Sequence, residues 1–250
     1  MTMLQLLVRQ VRAENRAFWR NPASAFFTFA FPLVFMVILN LVFASGGPGG
    51  TGALAFYTPA IIAFSMVNAG FTTLAMSISI ARDEGILKRV HGTPLPTWVY
   101  LLSRVVLSVA MGLLLSAIVA TVGAVVFGVP IPFGQLPLVL LVLMVGGATF
   151  CALGLAVAGL IPNASAAPAI VNAIALPLLF ISNTFIPIET GILVTIGNLF
   201  PIRPFSDSLQ ALWNTGPTHT FDPMDMAFVA AWGVAGLLVA LRTFTWEPRA

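Results

Sequence analysis

The densest group of ionisable side chains in this sequence lies in the stretch ARDEGILKRVHGTPLP, at residues 81–96. The chain has 11 Lys and Arg and 8 Asp and Glu, and five of these charges form one short run: Arg82, Asp83, Glu84, Lys88 and Arg89. Acids in the first turn of a helix and bases in its last turn both interact favourably with the helix dipole. The run therefore predicts a short helix over 82–90, and the Gly and Pro that follow at 92 and 94 signal its end.

This short helix is predicted to dock onto another protein. Glu84 and Lys88 form an i,i+4 pair in the favourable order, and Ile86, Leu87 and Val90 provide a small apolar face. The alternative is a solvated loop whose two bases only satisfy the positive-inside rule. That alternative explains the bases but not the acids, the apolar face or the stop signal.

No other pattern in these 250 residues predicts catalysis or a cofactor site. The apolar stretches contain no nucleophile–base pair and no metal-ligand set, and Cys151 lies in an apolar run that favours a packing role. The sequence has no GxxxxGK(S/T) loop, so hydrolysis of a nucleotide would need another chain. A net charge of +3 is too small to predict binding of nucleic acid.

The elements that must position the charged stretch are membrane-spanning helices. Hydrophobic residues form 59% of the chain and charged residues only 8%, and the mean hydropathy is +1.01. Apolar runs long enough to cross ~30 Å of hydrocarbon occur at six places, about 24–44, 56–80, 100–128, 136–160, 166–186 and 225–242. The predicted fold class is an all-α integral membrane protein, with residues 1–250 in a single transmembrane domain.

The distribution of Lys and Arg predicts the orientation of these spans. If both termini are cytoplasmic, only Arg203 of the 11 cationic residues falls in an external segment. Cytoplasmic connections carry an excess of Lys and Arg. We therefore expect a multi-pass protein of the bacterial cytoplasmic membrane, with both termini inside.

The first twenty residues predict a helix that lies in the membrane interface. Arg9, Arg12, Arg16 and Arg20 recur every three or four residues, and an apolar face with Phe18 runs beside them. A cationic face beside an apolar one is typical of an interfacial helix, which we place at 3–20. The alternative is a disordered basic tail.

The charged stretch resembles a loop of the permease subunits of type-two ABC exporters. The family pattern runs approximately Arg-Glu-x-Gly-Thr-Leu-Lys-Arg-Leu-x-x-Thr-Pro-Leu. The matching residue types here are Arg82, Glu84, Gly85, Leu87, Lys88, Arg89, Thr93, Pro94 and Leu95, with the acid doubled by Asp83. The resemblance extends over the chain, through the interfacial leader, six spans and a loop-rich connection before the last span.

A second match to the same family lies in that connection. The family has Pro-x-Glu, then Asn-Pro-hydrophobic, then Asp-x-Leu, and the residues in these positions are Pro187, Glu189, Asn198, Pro201, Asp207 and Leu209. Two departures are visible. No Pro or Trp stands between Glu189 and Asn198, and Gln210 stands where the family commonly has Arg.

The resemblance implies a role for each part of the chain. Helix 82–90 would be a coupling helix that docks onto an ATP-binding cassette ATPase subunit, present in two copies, which would carry ATP and Mg²⁺. A second permease, identical or homologous, would complete the complex in contact with membrane lipid. The residues that would couple to the ATPase are Arg82, Asp83, Glu84, Gly85, Leu87, Lys88 and Arg89.

The segment 187–213 predicts two short helices that dip into the outer leaflet. It is apolar but interrupted by Pro and Gly, so one spanning helix is excluded. Glu189, Asn198 and Asp207 are the candidates for an outer gate. The alternative for the two acids is a solvated position on the loop surface.

The central turns of the predicted spans contain no Asp, Glu, Lys, Arg or His, which disfavours an ion-coupled carrier. Asn40, Asn68 and Thr72 are candidates for a pathway, with helix packing as the alternative. Ladders of Ala at 148, 152 and 156 and at 227, 231 and 235 predict close helix contacts.

Uncharged spans favour a hydrophobic or amphipathic substrate, such as a drug, an antibiotic or a lipid. The alternatives are export of a polysaccharide or glycolipid and, in another class, a self-sufficient channel or intramembrane protein.

Overall fold

A computed structural model describes residues 2–44, 50–92, 95–182, 184–185, 190–214 and 220–244. Within these ranges the chain is helical and contains no strand. The fold is thus all-α, as the apolar pattern predicts.

The first helix, α1 (Met3–Trp19), occupies the range predicted for the interfacial helix. Thr2 caps it, because its hydroxyl accepts a hydrogen bond from the Gln5 backbone N–H while the Gln5 side chain accepts one from the Thr2 backbone. This reciprocal arrangement satisfies two N–H groups that a helix start leaves without partners. The Trp19 ring stacks on Phe29 at 5.4 Å, which joins α1 to α2 (Pro22–Ala44).

Four helical stretches are long and apolar enough to cross a membrane by length and composition, among the residues searched. They are Phe56–Asp83, Trp98–Phe127, Phe133–Leu160 and Pro223–Thr243. Ala25–Leu39 and Ala167–Ile181 are shorter apolar stretches that lie within the first and fifth predicted spans. The chain is a multi-pass membrane protein, and the number six stays a prediction.

The fifth predicted span, 166–186, is helical only as far as Ile181, so its predicted end is wrong. Helix α8 (Ala167–Ile181) has 15 residues, which gives a length of about 22 Å. It ends where the Ser182 hydroxyl donates back to the Leu179 carbonyl at 2.9 Å and contacts the Thr184 hydroxyl at 2.8 Å. Serine side chains that bond the local backbone compete with continuation of a helix.

The second predicted span contains an irregular turn. Helix α3 (Gly50–Val67) passes through a π-helical turn (Asn68–Thr73) into α4 (Leu74–Asp83). The turn packs against α7 (Leu136–Leu160) at Gly154, where a Cβ atom would lie 2.8 Å from the Gly70 carbonyl oxygen. Such π-turns are frequent at functional sites.

The remaining helices complete the fold. They are α5 (Ile86–His91), α6 (Thr97–Phe127), α9 (Ile192–Gly197), α10 (Ile202–Trp213) and α11 (Pro223–Thr243), with a 3₁₀ turn at Phe133–Gln135. Helices α9 and α10 are two short helices in the range where the sequence predicts two. Helix α10 is almost wholly buried against α3, α7, α8 and α11.

Helices α7 and α11 approach each other closely at two glycines of α11. A Cβ atom on Gly233 would lie 2.7 Å from Thr149 Oγ1, and one on Gly236 would lie 2.9 Å from Leu153 Cδ2. The Thr149 hydroxyl donates to the Val229 carbonyl at 3.1 Å. Ala152 of the predicted α7 ladder lies at this contact, because a Cβ atom on Gly236 would be 3.2 Å from its carbonyl carbon. The alanines of α11 at 227, 231 and 235 are exposed on this chain, so a close helix contact through them stays a prediction.

Candidate functional site

The charged loop (residues 82–92) is not one helix, so the helix predicted over 82–90 is wrong in its bounds. Helix α4 ends at Asp83, Glu84 and Gly85 form a turn, and α5 begins at Ile86. Gly85 has φ 69°, in the left-handed region that breaks a right-handed helix. Asp83 is therefore the last residue of α4 and Glu84 lies in the turn, so neither acid opens the docking helix, and the predicted Glu84–Lys88 pair spans the break.

Arg82 anchors this loop from inside the chain. Its side chain is only 2% exposed, and its guanidinium donates to the carbonyl oxygens of Ala158 at 2.9 Å and Ile161 at 2.5 Å. Those carbonyls belong to the last turn of α7 and the residue after it, where a helix leaves its C=O groups without intrahelical partners. Arg82 therefore caps α7 instead of lying on a docking surface.

Asp83 provides a second anchor on the same neighbouring segment. Its carboxylate accepts a hydrogen bond from the Ala164 backbone N–H, and its Oδ1 lies 3.8 Å from Arg82 Nε. Ala164 lies in the connection between α7 and α8. Arg82 and Asp83, adjacent residues of opposite charge, thus fix the charged loop to the end of α7 and to the α7–α8 connection.

The small apolar face of α5 also packs against other helices of the chain. Leu87 is fully buried and packs in a cluster with Leu74, Ile78 and Tyr100, beside which Ile86 and Val90 are partly buried. Glu84, Lys88 and Arg89 are exposed. The loop therefore has an inner side that is anchored by packing and an outer side that is charged.

An ion pair that the sequence prediction missed attaches α1 to α6. Glu14 Oε2 lies 3.1 Å from Arg104 Nε, and the Arg104 guanidinium donates to the Tyr100 hydroxyl at 2.9 Å. The Gln10 amide donates to the other oxygen of Glu14 at 3.0 Å. Glu14 is 8% exposed although its helix is rich in Arg.

The sequence contains a signal for this burial. Glu14 is seven residues after Leu7, three after Val11 and four before Phe18, and so it falls within the apolar stripe of α1. An acid within an apolar stripe predicts a buried partner. Arg104 lies in the first turns of α6 and supplies the opposite charge.

The three outer-gate candidates are not assembled into a site. Asn198 is exposed at the end of α9, and Glu189 lies outside the described residues. Asp207 lies on α10, where its Oδ2 is 3.5 Å from Nε of the buried Arg203. The Arg203 guanidinium also donates to the Ile181 carbonyl at 3.4 Å, so Asp207 is half-buried beside a cation rather than solvated alone.

The pathway candidates Asn68 and Thr72 both lie in the π-helical turn and are half-buried. The helix continues through Asn40, whose side chain lies outside the described part of the structure. Asn68 and Thr72 therefore share one turn, but neither lines the two cavities described below. Among the described residues, no group of His, Cys, Asp and Glu could hold a metal ion.

Long apolar helices, with a charged loop anchored on their ends, define a multi-pass membrane protein. Comparison with protein families gives the particular assignment. The model of the ABC-2 type transporter family matches residues 5–212, and the chain belongs to this family. A search of curated proteins found no match. Permeases of this family are not themselves catalytic and typically work with an ATPase subunit.

Proposed function

We propose that this chain is the membrane-spanning subunit of an ATP-driven exporter. It would cross the bacterial cytoplasmic membrane six times, with both termini in the cytoplasm, and pair with a second permease. Two copies of a separate ATPase subunit would bind ATP and Mg²⁺ and supply the energy. The compound moved from the cytoplasm or the inner leaflet would be hydrophobic or amphipathic.

The observation that carries this proposal is the two-sided charged loop. Its inner side is fixed to α7 by the two carbonyl bonds of Arg82 and to the α7–α8 connection by Asp83. Its outer side exposes Lys88 and Arg89. A partner that moves the outer side would move the ends of several helices together, since packed helices shift as rigid bodies rather than deforming.

An apolar cavity supports the proposed substrate class. A cavity of about 260 Å³ lies between α7, α8 and α11, the π-helical turn and the start of α10. Only apolar side chains line it, among them Phe71, Leu153, Leu178 and Trp232. Apolar walls of this kind hold apolar ligand surface, whereas sugars need many convergent polar groups. This favours a lipophilic compound over a polysaccharide.

Co-purification with an ATP-binding cassette ATPase tests the assignment. Cells would co-express the chain with the ATPase encoded nearest to its gene, and a stable complex with substrate-stimulated ATPase activity is expected. The double variant Lys88→Glu/Arg89→Glu should leave the protein inserted but lower the stimulation about tenfold, because two close charge contacts reverse sign. The double variant Arg12→Glu/Arg16→Glu makes the same charge change on the exposed face of α1 and should retain the stimulation.

Two results would refute the proposal. One is a lone oligomer with transport or channel activity of its own. The other is an unchanged stimulated ATPase rate in the Lys88→Glu/Arg89→Glu complex.

A further inference from the structure

We propose that a cavity between α1 and the charged loop binds a cationic amphiphile. This inference rests on the proposed function for its orientation, because the side that carries α1 and the loop is taken as cytoplasmic. It deepens that function by naming a loading site and the charge of the compound. The ligand would have an apolar body and one ammonium or phosphonium-like positive group.

The cavity has the size and position of a binding site. Its volume is about 410 Å³, within the range of roughly 300–1,000 Å³ for pockets that bind drug-sized ligands. Helices α1, α2, α4 and α6 form its walls, together with the turn at Glu84 and the start of α5 at Ile86. It therefore lies where the interfacial helix meets the charged loop.

The charge of the cavity wall favours a cation. Three ionisable side chains line it, namely Glu14, Arg104 and Glu84. Glu14 and Arg104 form an ion pair, with 3.1 Å between Glu14 Oε2 and Arg104 Nε, and together contribute no net charge. Glu84 is exposed and adds one negative charge at the side of the charged loop, so a positive group is attracted to that side of the cavity.

The interior of the cavity suits an apolar body with limited polarity. Phe18, Leu107 and Met111 provide apolar walls, and Ser77 and Ser108 provide hydroxyl groups. The Ser77 hydroxyl already donates to the Leu74 carbonyl at 3.0 Å, which leaves its oxygen as an acceptor. The Phe18 ring is part of the lining, and aromatic rings attract cations electrostatically.

An occupant would contact both α1 and the charged loop. On one side it would touch Phe18 and Glu14 of α1, and on the other it would touch Glu84 and Ile86. Occupancy would therefore change the position of the turn that precedes α5. This links the presence of the compound to the surface that would dock the ATPase.

A matched pair of ions tests the charge and the place of this site. Tetraphenylphosphonium and tetraphenylborate have the same shape and opposite charge. The full chain in phosphatidylcholine nanodiscs, without any ATPase, would be equilibrated with each ion by dialysis against empty nanodiscs. Saturable binding of tetraphenylphosphonium is expected, with no saturable binding of tetraphenylborate.

Variants locate the binding. Glu84→Gln should weaken tetraphenylphosphonium binding about fivefold, as expected for the loss of one nearby charge in a partly solvated site. Ser108→Phe should abolish it by filling the cavity. Ala235→Phe, in the wall of the 260 Å³ cavity, is the control and should bind normally.

Equal saturable binding of the two ions would refute the proposed site. Unchanged binding of tetraphenylphosphonium in Glu84→Gln and Ser108→Phe would refute it as well. Because no ATPase is present, the result is independent of the exporter assignment. Binding with these variant effects supports the site even if no ATPase complex forms. If the permease forms a complex with substrate-stimulated ATPase activity but shows no saturable binding of tetraphenylphosphonium, the exporter assignment stands and the proposed site is refuted.

Discussion

The guanidinium of Arg82 donates a hydrogen bond of 2.9 Å to the backbone carbonyl of Ala158, 76 positions further along the chain. This bond connects the end of α4 to the last turn of α7. The same guanidinium bonds the carbonyl of Ile161. The first basic residue of the charged loop is therefore a structural cap, and the exposed charges of the loop are Glu84, Lys88 and Arg89.

Removal of the Arg82 guanidinium should destabilise the chain. Arg82→Met keeps the length of the side chain but leaves two buried carbonyls without a donor, and bonds from charged groups contribute about 1.5–3 kcal/mol each. We expect a fall of several degrees in the midpoint of thermal unfolding, measured by intrinsic fluorescence in detergent. Arg89→Met removes an exposed charge and should leave the midpoint unchanged, and an equal fall in both variants would contradict the cap.

Gly85 should tolerate substitution much less than Gly92. At φ 69° a Cβ atom costs about 1–2 kcal/mol. Gly92 has φ −79°, and its Cβ would make only ordinary contacts with the carbonyl oxygens of Arg89 at 3.5 Å and Lys88 at 3.8 Å. Gly85→Ala should lower stability by about that amount and Gly85→Asn by less, because Asn adopts the left-handed region more readily. Unfolding midpoints would measure this, and equal midpoints for Gly85→Ala and Gly92→Ala would exclude a strained turn.

The Glu14–Arg104 pair should hold α1 against α6. A double-mutant cycle with Glu14→Gln and Arg104→Gln should give a coupling of about 1–2 kcal/mol, more than an exposed pair but reduced because Arg104 is partly solvated. Either single variant should also speed tryptic cleavage at the arginines of α1. Arg16→Gln removes an exposed charge as a control, and additive single effects would show that the pair does not couple the helices.

The α7–α11 contact should depend on Gly233 and not on Ala231. A larger side chain at Gly233 would collide with Thr149, and overpacking of a close contact costs typically 1–3 kcal/mol. Gly233→Val should therefore lower the unfolding midpoint of the purified chain, while Ala231→Val, on the exposed face, should not. The opposite order would contradict a close contact at Gly233.

The sequence by itself determined the class of protein and the approximate places of its helices. Apolar runs must form helices in a membrane, because only helices and closed barrels satisfy every backbone N–H and C=O group there. The breakers between 187 and 213 predicted two short helices, and α9 and α10 lie in that range. The charged stretch and the match over residues 5–212 lead to the same family.

Only the tertiary structure decided which face of each helix packs against the rest of the chain. Spanning helices are apolar all round, so their sequences carry no amphipathic signal for the contact face, and the glycines of α11 rather than its alanines meet α7. The sequence of the charged loop likewise does not show which of its side chains face the rest of the chain. A run of charges does not reveal which members point inward, and Arg82 and Asp83 became anchors because carbonyl and N–H groups about 80 residues away lie within hydrogen-bond reach.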